Sequence, residues 1–223
     1  MEPTAIPNVF VKVIKGRKML FTKNLVQGTY LQRDKLMIEN GVEYRYWDAM
    51  RSKLAAAIVK GLNPRGLTTA ISVLYLGASS GTTISYLSDI LEAEGMIFAL
   101  DHAPKPIRSL LFLAEQRPNI APILADAGKP ESYYAQVLPA DMLYQDIAQR
   151  NQIEIFLKNC RIYLKPKGFA YLCIKSRSID VAANPQKIYN DAIKTINQEL
   201  NVLDVLHLDP FQKDHAMIVC QRK

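Results

Sequence analysis

Five short apolar runs of this 223-residue sequence are each followed by a glycine or a charged side chain. The first run precedes Gly77-Ala78-Ser79, and the next four precede Asp101, Asp126, Asp146 and Lys175. If the runs are parallel strands, their carboxyl ends meet at one edge of a sheet, where ligands bind in open α/β folds. One aspartate in such a place is often only a helix cap, but a succession of polar strand ends predicts a binding site.

The residue types at this edge suit an adenosine with a charged tail. The "GASSG" turn (77–81) lets the backbone approach a ligand closely, and the hydroxyls and amides of Thr82 and Thr83 favour an anionic group. Asp101 stands where an acid binds ribose hydroxyls in such folds, and Asp126-Ala127 offers an acceptor for the exocyclic amine of a base. NAD and S-adenosylmethionine both fit. The missing GxGxxG pattern favours S-adenosylmethionine, which has no pyrophosphate.

Strand-like and helical patterns alternate after residue 47. The strand-like runs cover residues 73–76, 96–100, 121–125, 142–145, 169–174, 202–208 and 216–220. Helical patterns between most of them predict a parallel, doubly wound sheet. Only "DPFQKD" joins the last two runs, and this link is too short for a crossover, so we expect them to be antiparallel. This pattern predicts an α/β fold of the Rossmann-like methyltransferase type, with seven strands and an antiparallel last hairpin.

The first 47 residues predict a small antiparallel β domain. "NVFVKVIKGRKMLFT" alternates around a KGRK turn, and residues 27–47 continue as short strands with Asn40-Gly41 as a hairpin turn. The period then becomes helical, and we expect a helix over 48–62 that Asp48 caps and that Gly61 and Pro64 end. We therefore expect two domains, an N-terminal β domain at 1–47 and a methyltransferase domain at 48–223.

Composition limits the classes of function. The net charge is +7, and residues 1–60 hold 11 Lys or Arg against 5 Asp or Glu, which favours a polyanionic partner but also suits a well-solvated surface. The three cysteines form no CxxC pair and the three histidines are not spaced as ligands, so we expect no metal. No apolar run approaches the ~20 residues of a membrane span and no signal pattern is seen, so we expect a cytosolic protein.

Six stretches resemble fibrillarin, particularly its archaeal form, over roughly residues 8 to 220. They are "YRYWDAMRSKLAAAI", "VLYLGASSGTTISYLSDI", "ILADAGKPESY", "YQDIAQ", "IKSRSID" and "HLDPFQKDHAMI". Fibrillarins are S-adenosylmethionine-dependent RNA 2′-O-methyltransferases of box C/D ribonucleoproteins, so the resemblance implies this activity in the cytoplasm of an archaeal cell. By motif it implies cofactor contacts at Thr82, Thr83, Asp101, His102, Asp126, Ala127, Asp146, Ile147, Ala148 and Gln149. The chain departs from the family at Asp101-His102, where a glutamate usually precedes an aromatic residue.

The resemblance also implies a catalytic set. Related 2′-O-methyltransferases use a Lys–Asp–Lys–acid group, and the similar set in this chain is Lys53, Asp146, Lys175 and the Asp214-His215 pair. We expect Lys175 to lower the pKa of a ribose hydroxyl and Asp146 to hold this lysine and the methyl group in line, with Lys53 and His215 in support. A solvated helix lysine for Lys53 and a hairpin histidine for His215 remain open as alternatives.

The family's partners are a guide RNA, a target rRNA or tRNA, a Nop-type scaffold protein and, indirectly, a ribosomal-type kink-turn-binding protein. No RRM, KH or zinc-knuckle pattern occurs, and "YRYW" (44–47) suits core packing as well as base stacking. Two other functions stay open. One is a catalytically silent structural subunit of the same particle, and the other is a nucleotide-dependent oxidoreductase, which the missing GxGxxG pattern disfavours.

Overall fold

The N-terminal part of the chain folds as an antiparallel sheet. The computed structural model describes residues 1–29 and 35–223, and the part of the predicted strand region at 30–34 lies outside the described residues. The strand order of this sheet is β1-β2-β3-β5-β4. Its strands are β1 (Glu2–Pro3), β2 (Val9–Ile14), β3 (Arg17–Lys23), β4 (Leu36–Glu39) and β5 (Val42–Trp47).

Both predicted hairpin turns are confirmed. Lys15 and Gly16 join β2 to β3 with φ values of 50° and 74°, and Asn40 and Gly41 join β4 to β5 with 52° and 76°. Two successive residues with positive φ form the tight turn whose twist matches that of the flanking strands. Turn chemistry therefore determines the register of this sheet.

The remainder of the chain forms a seven-stranded sheet of order β11-β12-β10-β9-β6-β7-β8. Its strands are β6 (Ser72–Leu76), β7 (Met96–Asp101), β8 (Ile120–Leu124), β9 (Ala140–Gln145), β10 (Leu164–Lys175), β11 (Leu200–His207) and β12 (His215–Arg222). Strands β8, β7, β6, β9 and β10 pair in parallel, and β12 pairs antiparallel with both β10 and β11. The predicted sheet with an antiparallel last hairpin is confirmed.

Helices cover both faces of this sheet. They are α1 (Lys53–Val59), α2 (Thr82–Leu91), α3 (Pro104–Gln116), α4 (Gln152–Tyr163), α5 (Ser176–Ile179) and α6 (Pro185–Ile196), with a 3-10 helix at Pro130–Gln136. The first three pack on one core and α4 and α6 on the other, because alternate strand residues face opposite sides. Among residues 1–29 and 35–223, no helix is both long and apolar enough to cross a membrane.

The start of α1 differs from the prediction. The helix begins at Lys53, and the hydroxyl of Ser52, rather than Asp48, caps it by accepting a hydrogen bond from the Ala55 amide at 3.3 Å. The Asp48 carboxylate instead accepts from the Met50 amide at 2.9 Å, which holds residues 48–52 in a turn. Asp48 was a plausible cap by type, but Ser52 is the capping residue next to the Ala-rich run. The predicted helix end is close to the observed one.

Candidate active site

A cleft lies at the carboxyl ends of β6, β7, β8 and β9, where the sequence predicted a ligand site. Its volume is about 220 Å³. Nine of the predicted cofactor residues line it, namely Gly77, Ser79, Asp101, His102, Ala127, Asp146, Ile147, Ala148 and Gln149. Leu100 also lines it, and sequence reasoning missed this residue because an apolar strand residue has no chemical signature. Its position directly before Asp101 is the one signal that the sequence contains.

Gly77 explains how the strand ends come so close. Its φ is 86°, and a Cβ at this position would collide with the backbone carbonyl oxygen of Asp146. The sequence predicted that this glycine lets a ligand approach, whereas the structure uses it to bring two strand ends together. Both the Gly77 and Ala78 amides donate to the carbonyl of Leu100 at 2.9 Å, which fixes the turn across β7. Ala78 is buried and lies outside the cleft lining.

Asp101 lies in the cleft but also holds its edge together. One carboxylate oxygen accepts a hydrogen bond from the Ser79 amide at 2.8 Å, and the other accepts from the Ala103 amide at 2.9 Å. Each oxygen retains a second acceptor position for a ribose hydroxyl. His102 is 71% exposed, with its Nδ1 3.7 Å from an Asp101 oxygen. The Asp101 carboxylate is thus held in place before any ligand arrives.

The start of α2 borders the cleft with backbone amides. Gly81 precedes the helix with φ 88°, and within the described ranges 1–29 and 35–223 no side chain caps it. The amides of the first turn thus have no side-chain cap there, and anion binding at Thr82 and Thr83 stays a prediction. Thr83 Oγ1 lies 3.1 Å from Ser52 Oγ, so the hydroxyl also contacts the cap of α1. Both threonines lie outside the cleft lining.

Asp126 is exposed and likewise lies outside the cleft lining, although its neighbour Ala127 is part of it. One Asp126 oxygen accepts from the Gly128 amide at 2.8 Å and shapes the loop after β8. Contact of Asp126 with a base stays a prediction.

An ion pair joins helix α1 to the end of β9. The ammonium of Lys53 donates to the Asp146 carboxylate at 2.8 Å, and their side chains are 20% and 24% exposed. Burial is the largest single effect and disfavours the Lys53 ammonium, but the Asp146 charge, the nearby Cys173 and the hydrogen bond to Asp146 together outweigh it and raise the pKa of Lys53. Lys53 therefore stays protonated at neutral pH. The structure pairs Asp146 with this lysine, whereas the sequence suggested Lys175.

His215 opens β12, and one of its ring nitrogens has no hydrogen-bond partner within residues 1–29 and 35–223. Its Nδ1 lies 2.6 Å from the carbonyl oxygen of Lys213, and since a carbonyl only accepts, Nδ1 bears the proton. Burial lowers the pKa of His215, and the Lys53 and Lys175 charges act in the same direction, against the Lys213 carbonyl and Asp146. The ring is therefore mostly neutral at pH 7, with Nε2 as an unprotonated acceptor.

Lys175 lies at the end of β10 directly opposite His215 in the antiparallel pair. Side chains at opposite positions of such a pair lie on the same face of the sheet. Lys175 is exposed, and among residues 1–29 and 35–223 its ammonium has no hydrogen bond or ion pair. Asp214 is instead paired with Arg177 at 3.3 Å. The structure thus brings Lys53, Asp146, Lys175 and His215 together and leaves Lys175 available.

No group of three or more His, Cys, Asp or Glu side chains in residues 1–29 and 35–223 is arranged to hold a metal ion. Cys160, Cys173 and Cys220 are all buried as free thiols.

Comparison with known sequences identifies relatives over the full length. A family model described as Fibrillarin matches residues 1–223. The curated "Fibrillarin-like rRNA/tRNA 2'-O-methyltransferase" of Sulfolobus acidocaldarius is 46% identical over 222 residues, which is 99% of this chain and 96% of that protein. Identity at this level over whole chains indicates common descent as well as a shared fold.

Comparison with solved structures indicates the same family. The fold is similar to that of Aeropyrum pernix fibrillarin in complex with natively bound S-adenosyl-L-methionine, with a TM-score of 0.88, 42% identity and coverage of 98% of this chain and 99% of that one. It is also similar to a chain of a fibrillarin/Nop5p complex, with a TM-score of 0.82, 39% identity and coverage of 97% and 98%. This chain belongs to the fibrillarin family.

Proposed function

We propose that this protein is an S-adenosylmethionine-dependent RNA 2′-O-methyltransferase that acts on rRNA and tRNA. The observation that carries this proposal is the cluster of Lys53, Asp146, Lys175 and His215 beside a cleft of about 220 Å³ at the strand ends. The curated relative from Sulfolobus acidocaldarius, 46% identical, carries that activity in its name. A chain that had become a silent structural subunit would have no need of a neutral histidine and a free lysine at the cleft.

The cleft residues fit the proposed cofactor. The Asp101 carboxylate is oriented by two backbone amides and suits ribose hydroxyls, while Leu100, Ala127 and Ile147 give an apolar wall for a base. The amides at the start of α2 suit the carboxylate of the amino-acid tail. When bound there, S-adenosylmethionine supplies an activated methyl group. The protein must then align the RNA ribose, exclude water and handle one proton.

Two side chains of the cluster suit proton handling. Nε2 of His215 is a neutral acceptor and takes the proton of the 2′-hydroxyl. Lys175 lies opposite His215 in the strand pair, and its ammonium lowers the pKa of the hydroxyl and stabilises the negative charge that develops on oxygen. Lys53 remains protonated and acts differently, because its ion pair holds the Asp146 carboxylate at the rim of the cleft.

The variant Lys175→Ala tests this assignment. We expect its single-turnover methylation rate on guide-paired RNA to fall by about 10²–10⁴-fold, the usual range for a positioned proton-transfer group. Affinity for S-adenosylmethionine should barely change, and raising the pH should partly restore the rate by supplying more alkoxide. Lys194→Ala, at an exposed lysine of α6, is the matched control. A near-normal rate in Lys175→Ala would contradict this role of the lysine.

We also propose that the protein works as the catalytic subunit of a box C/D ribonucleoprotein in the cytoplasm of an archaeal cell. A relative 39% identical to this chain is known in a fibrillarin/Nop5p complex, which supports a Nop-type scaffold as the direct partner. Guide RNA would select the target by base pairing, and a kink-turn-binding protein would join through the scaffold. Residues 1–47 and 48–223 would be its two domains. Methyl transfer from labelled cofactor to guide-paired RNA, with and without scaffold proteins, tests this assembly.

A further inference from the structure

Helix α4 carries two buried amide side chains behind the cleft. Gln152 and Asn159 are both fully buried, with 0% exposure. They lie seven residues apart, which is about two helical turns, so they are on the same face of the helix. Neither residue was singled out by the sequence. Buried amide side chains require both donors and acceptors nearby, so their hydrogen-bond partners show which segments of the chain they hold in place.

Gln152 contacts two segments of the proposed site. Its Nε2 donates to the carbonyl oxygen of Gln149 at 2.9 Å, and Gln149 lines the cleft in the loop after β9. Its Oε1 accepts a long hydrogen bond of 3.4 Å from the backbone amide of Lys175. Gln145 in turn donates to the backbone carbonyl of Gln152 at 2.7 Å. One side chain thus connects a wall of the cofactor cleft to the strand end that presents Lys175.

Asn159 contacts the opposite wall of the cleft. Its Nδ2 donates to the carbonyl oxygen of Ala127 at 2.9 Å, and Ala127 lines the cleft in the loop after β8. Its Oδ1 accepts from the hydroxyl of Tyr133, which belongs to the 3-10 helix. Two amides on one helix face therefore hold two separate loops of the same cleft by their backbone carbonyls.

We propose that Gln152 and Asn159 are positioning residues that set the geometry of the cofactor cleft from behind. The inference rests on the proposed function, since S-adenosylmethionine is taken as the ligand of the cleft. At neutral pH the amide offers a donor to Gln149 or Ala127 and an acceptor to the second partner at the same time. A carboxylate of the same shape has acceptors alone and would repel the loop carbonyl. Neither residue touches the ligand, so both act through the loops.

The variant Gln152→Glu provides a pH-dependent test. Above the pKa of the new acid, its carboxylate faces the Gln149 carbonyl without a donor, and we expect affinity for S-adenosylmethionine to fall about tenfold, as for a lost buried hydrogen bond. Below that pKa, the neutral acid donates through its O–H, and affinity should return to within about threefold of wild type. Calorimetric titration from pH 5.5 to 8, expressed as the ratio of variant to wild-type Kd, measures this. Asn159→Asp should behave in the same way.

Asn119→Asp is the matched control for a general loss of stability. Asn119 is 2% exposed and donates to the carbonyls of Ser88 and Glu92 at 3.0 and 2.7 Å, at the opposite edge of the sheet. We expect this variant to unfold at lower temperature and to keep wild-type affinity for S-adenosylmethionine. If Gln152→Glu fails to fold, Gln152→Met, which has similar volume and no hydrogen bonds, should lose affinity at every pH.

Each result decides the proposal. A Kd ratio for Gln152→Glu that stays near one, or that does not change with pH, would overturn it. Equal loss of affinity in Asn119→Asp, or wild-type affinity in Gln152→Met, would also overturn it. Failure of the proposed function looks different, because the wild-type protein itself would then not bind S-adenosylmethionine.

Discussion

Two clusters of charged side chains in this protein differ in how far they are closed to solvent. One lies between the N-terminal sheet and α2, where Arg45 and Arg117 contact Asp89 at 2.8 and 2.6 Å and all three side chains are at most 2% exposed. The other lies at the cleft, where the Lys53 and Asp146 side chains are 20% and 24% exposed. Both clusters place basic side chains against an aspartate, but only the second is open to a ligand.

Hydrogen-bond saturation separates the two clusters further. The Asp89 carboxylate accepts four hydrogen bonds, from the Thr22 hydroxyl, the Leu25 amide, Arg45 and Arg117. A carboxylate has about four acceptor positions, so nothing remains for a ligand. This cluster joins the N-terminal sheet to α2, and its carboxylate has no acceptor position left for a substrate.

The cleft cluster is open by contrast. Within residues 1–29 and 35–223, the Asp146 carboxylate accepts one hydrogen bond, from Lys53, and the Lys175 ammonium makes none. Free acceptor and donor positions next to a cleft are what a substrate needs. Residue type alone does not separate structural from functional charges, whereas the number of filled hydrogen-bond positions does.

The largest expected effect of a substitution on stability is in the buried cluster of Arg45, Asp89 and Arg117. Asp89→Asn removes the negative charge that both guanidinium groups contact in a buried site, and we expect the free energy of unfolding to fall by about 3–5 kcal/mol. Urea denaturation measures this. Glu154→Gln, which breaks the exposed i,i+4 pair with Lys158, is the control and should leave the free energy of unfolding almost unchanged. A loss below about 1 kcal/mol in Asp89→Asn would show that the comparison fails.

The matching change in the open cluster should affect rate more than stability. Asp146→Asn weakens the hold on Lys53 and changes the charge beside the cleft, so we expect the single-turnover methylation rate to fall by about 10²-fold. The free energy of unfolding should change by at most about 1 kcal/mol, because the pair is partly exposed and solvent screens it. Parallel rate and urea measurements on both variants provide the test. A larger loss of stability here than in Asp89→Asn would reverse our interpretation.

Substitution of Asp101 should have a smaller effect, which is on cofactor affinity, and it tests a single side chain of the cleft. Asp101→Ala removes the carboxylate that holds the Ser79 and Ala103 amides and that we propose contacts the ribose, so S-adenosylmethionine should bind about 1–3 kcal/mol more weakly. Calorimetry measures the affinity. Lys194→Ala, at an exposed lysine of α6 that lies outside the cleft lining, should leave the affinity unchanged. Unchanged affinity in Asp101→Ala would remove this residue from the site.

The sequence predicted those features that depend on short-range patterns. Alternation, turn residues and polar strand ends predicted both sheets and about half of the cleft lining, because each is a local consequence of strand geometry. His102, Ile147, Ala148 and Gln149 were implied only by the resemblance to fibrillarin. Partners across the fold were harder to predict. The pairing of Asp146 with Lys53 and the Ser52 cap depend on how α1 packs, and Gln152 and Asn159 bind backbone carbonyls, which look alike in every sequence.

The last and smallest effect concerns the protonation of His215. Burial holds its pKa below the ordinary 6.5, so Nε2 is free at neutral pH and becomes protonated only as the pH falls through that lower value. Protonation removes the proposed acceptor, and the methylation rate of the wild type should therefore decrease with decreasing pH. An ordinary histidine would give about a tenfold decrease at pH 5.5, so a lowered pKa predicts a smaller one.

Single-turnover rates on guide-paired RNA from pH 5 to 8 measure this profile. Lys53 does not titrate in that range because its pKa is raised, so the profile reports on His215. His215→Gln, which keeps a neutral polar side chain, should be slower at pH 7.5 and should lose the step that the wild type shows below pH 6.5. A wild-type midpoint above 6.5 would mean that His215 is stabilised as a cation, and an unchanged step in His215→Gln would assign the titration to another group. In either case the acceptor of the hydroxyl proton would have to be sought elsewhere in the open cluster.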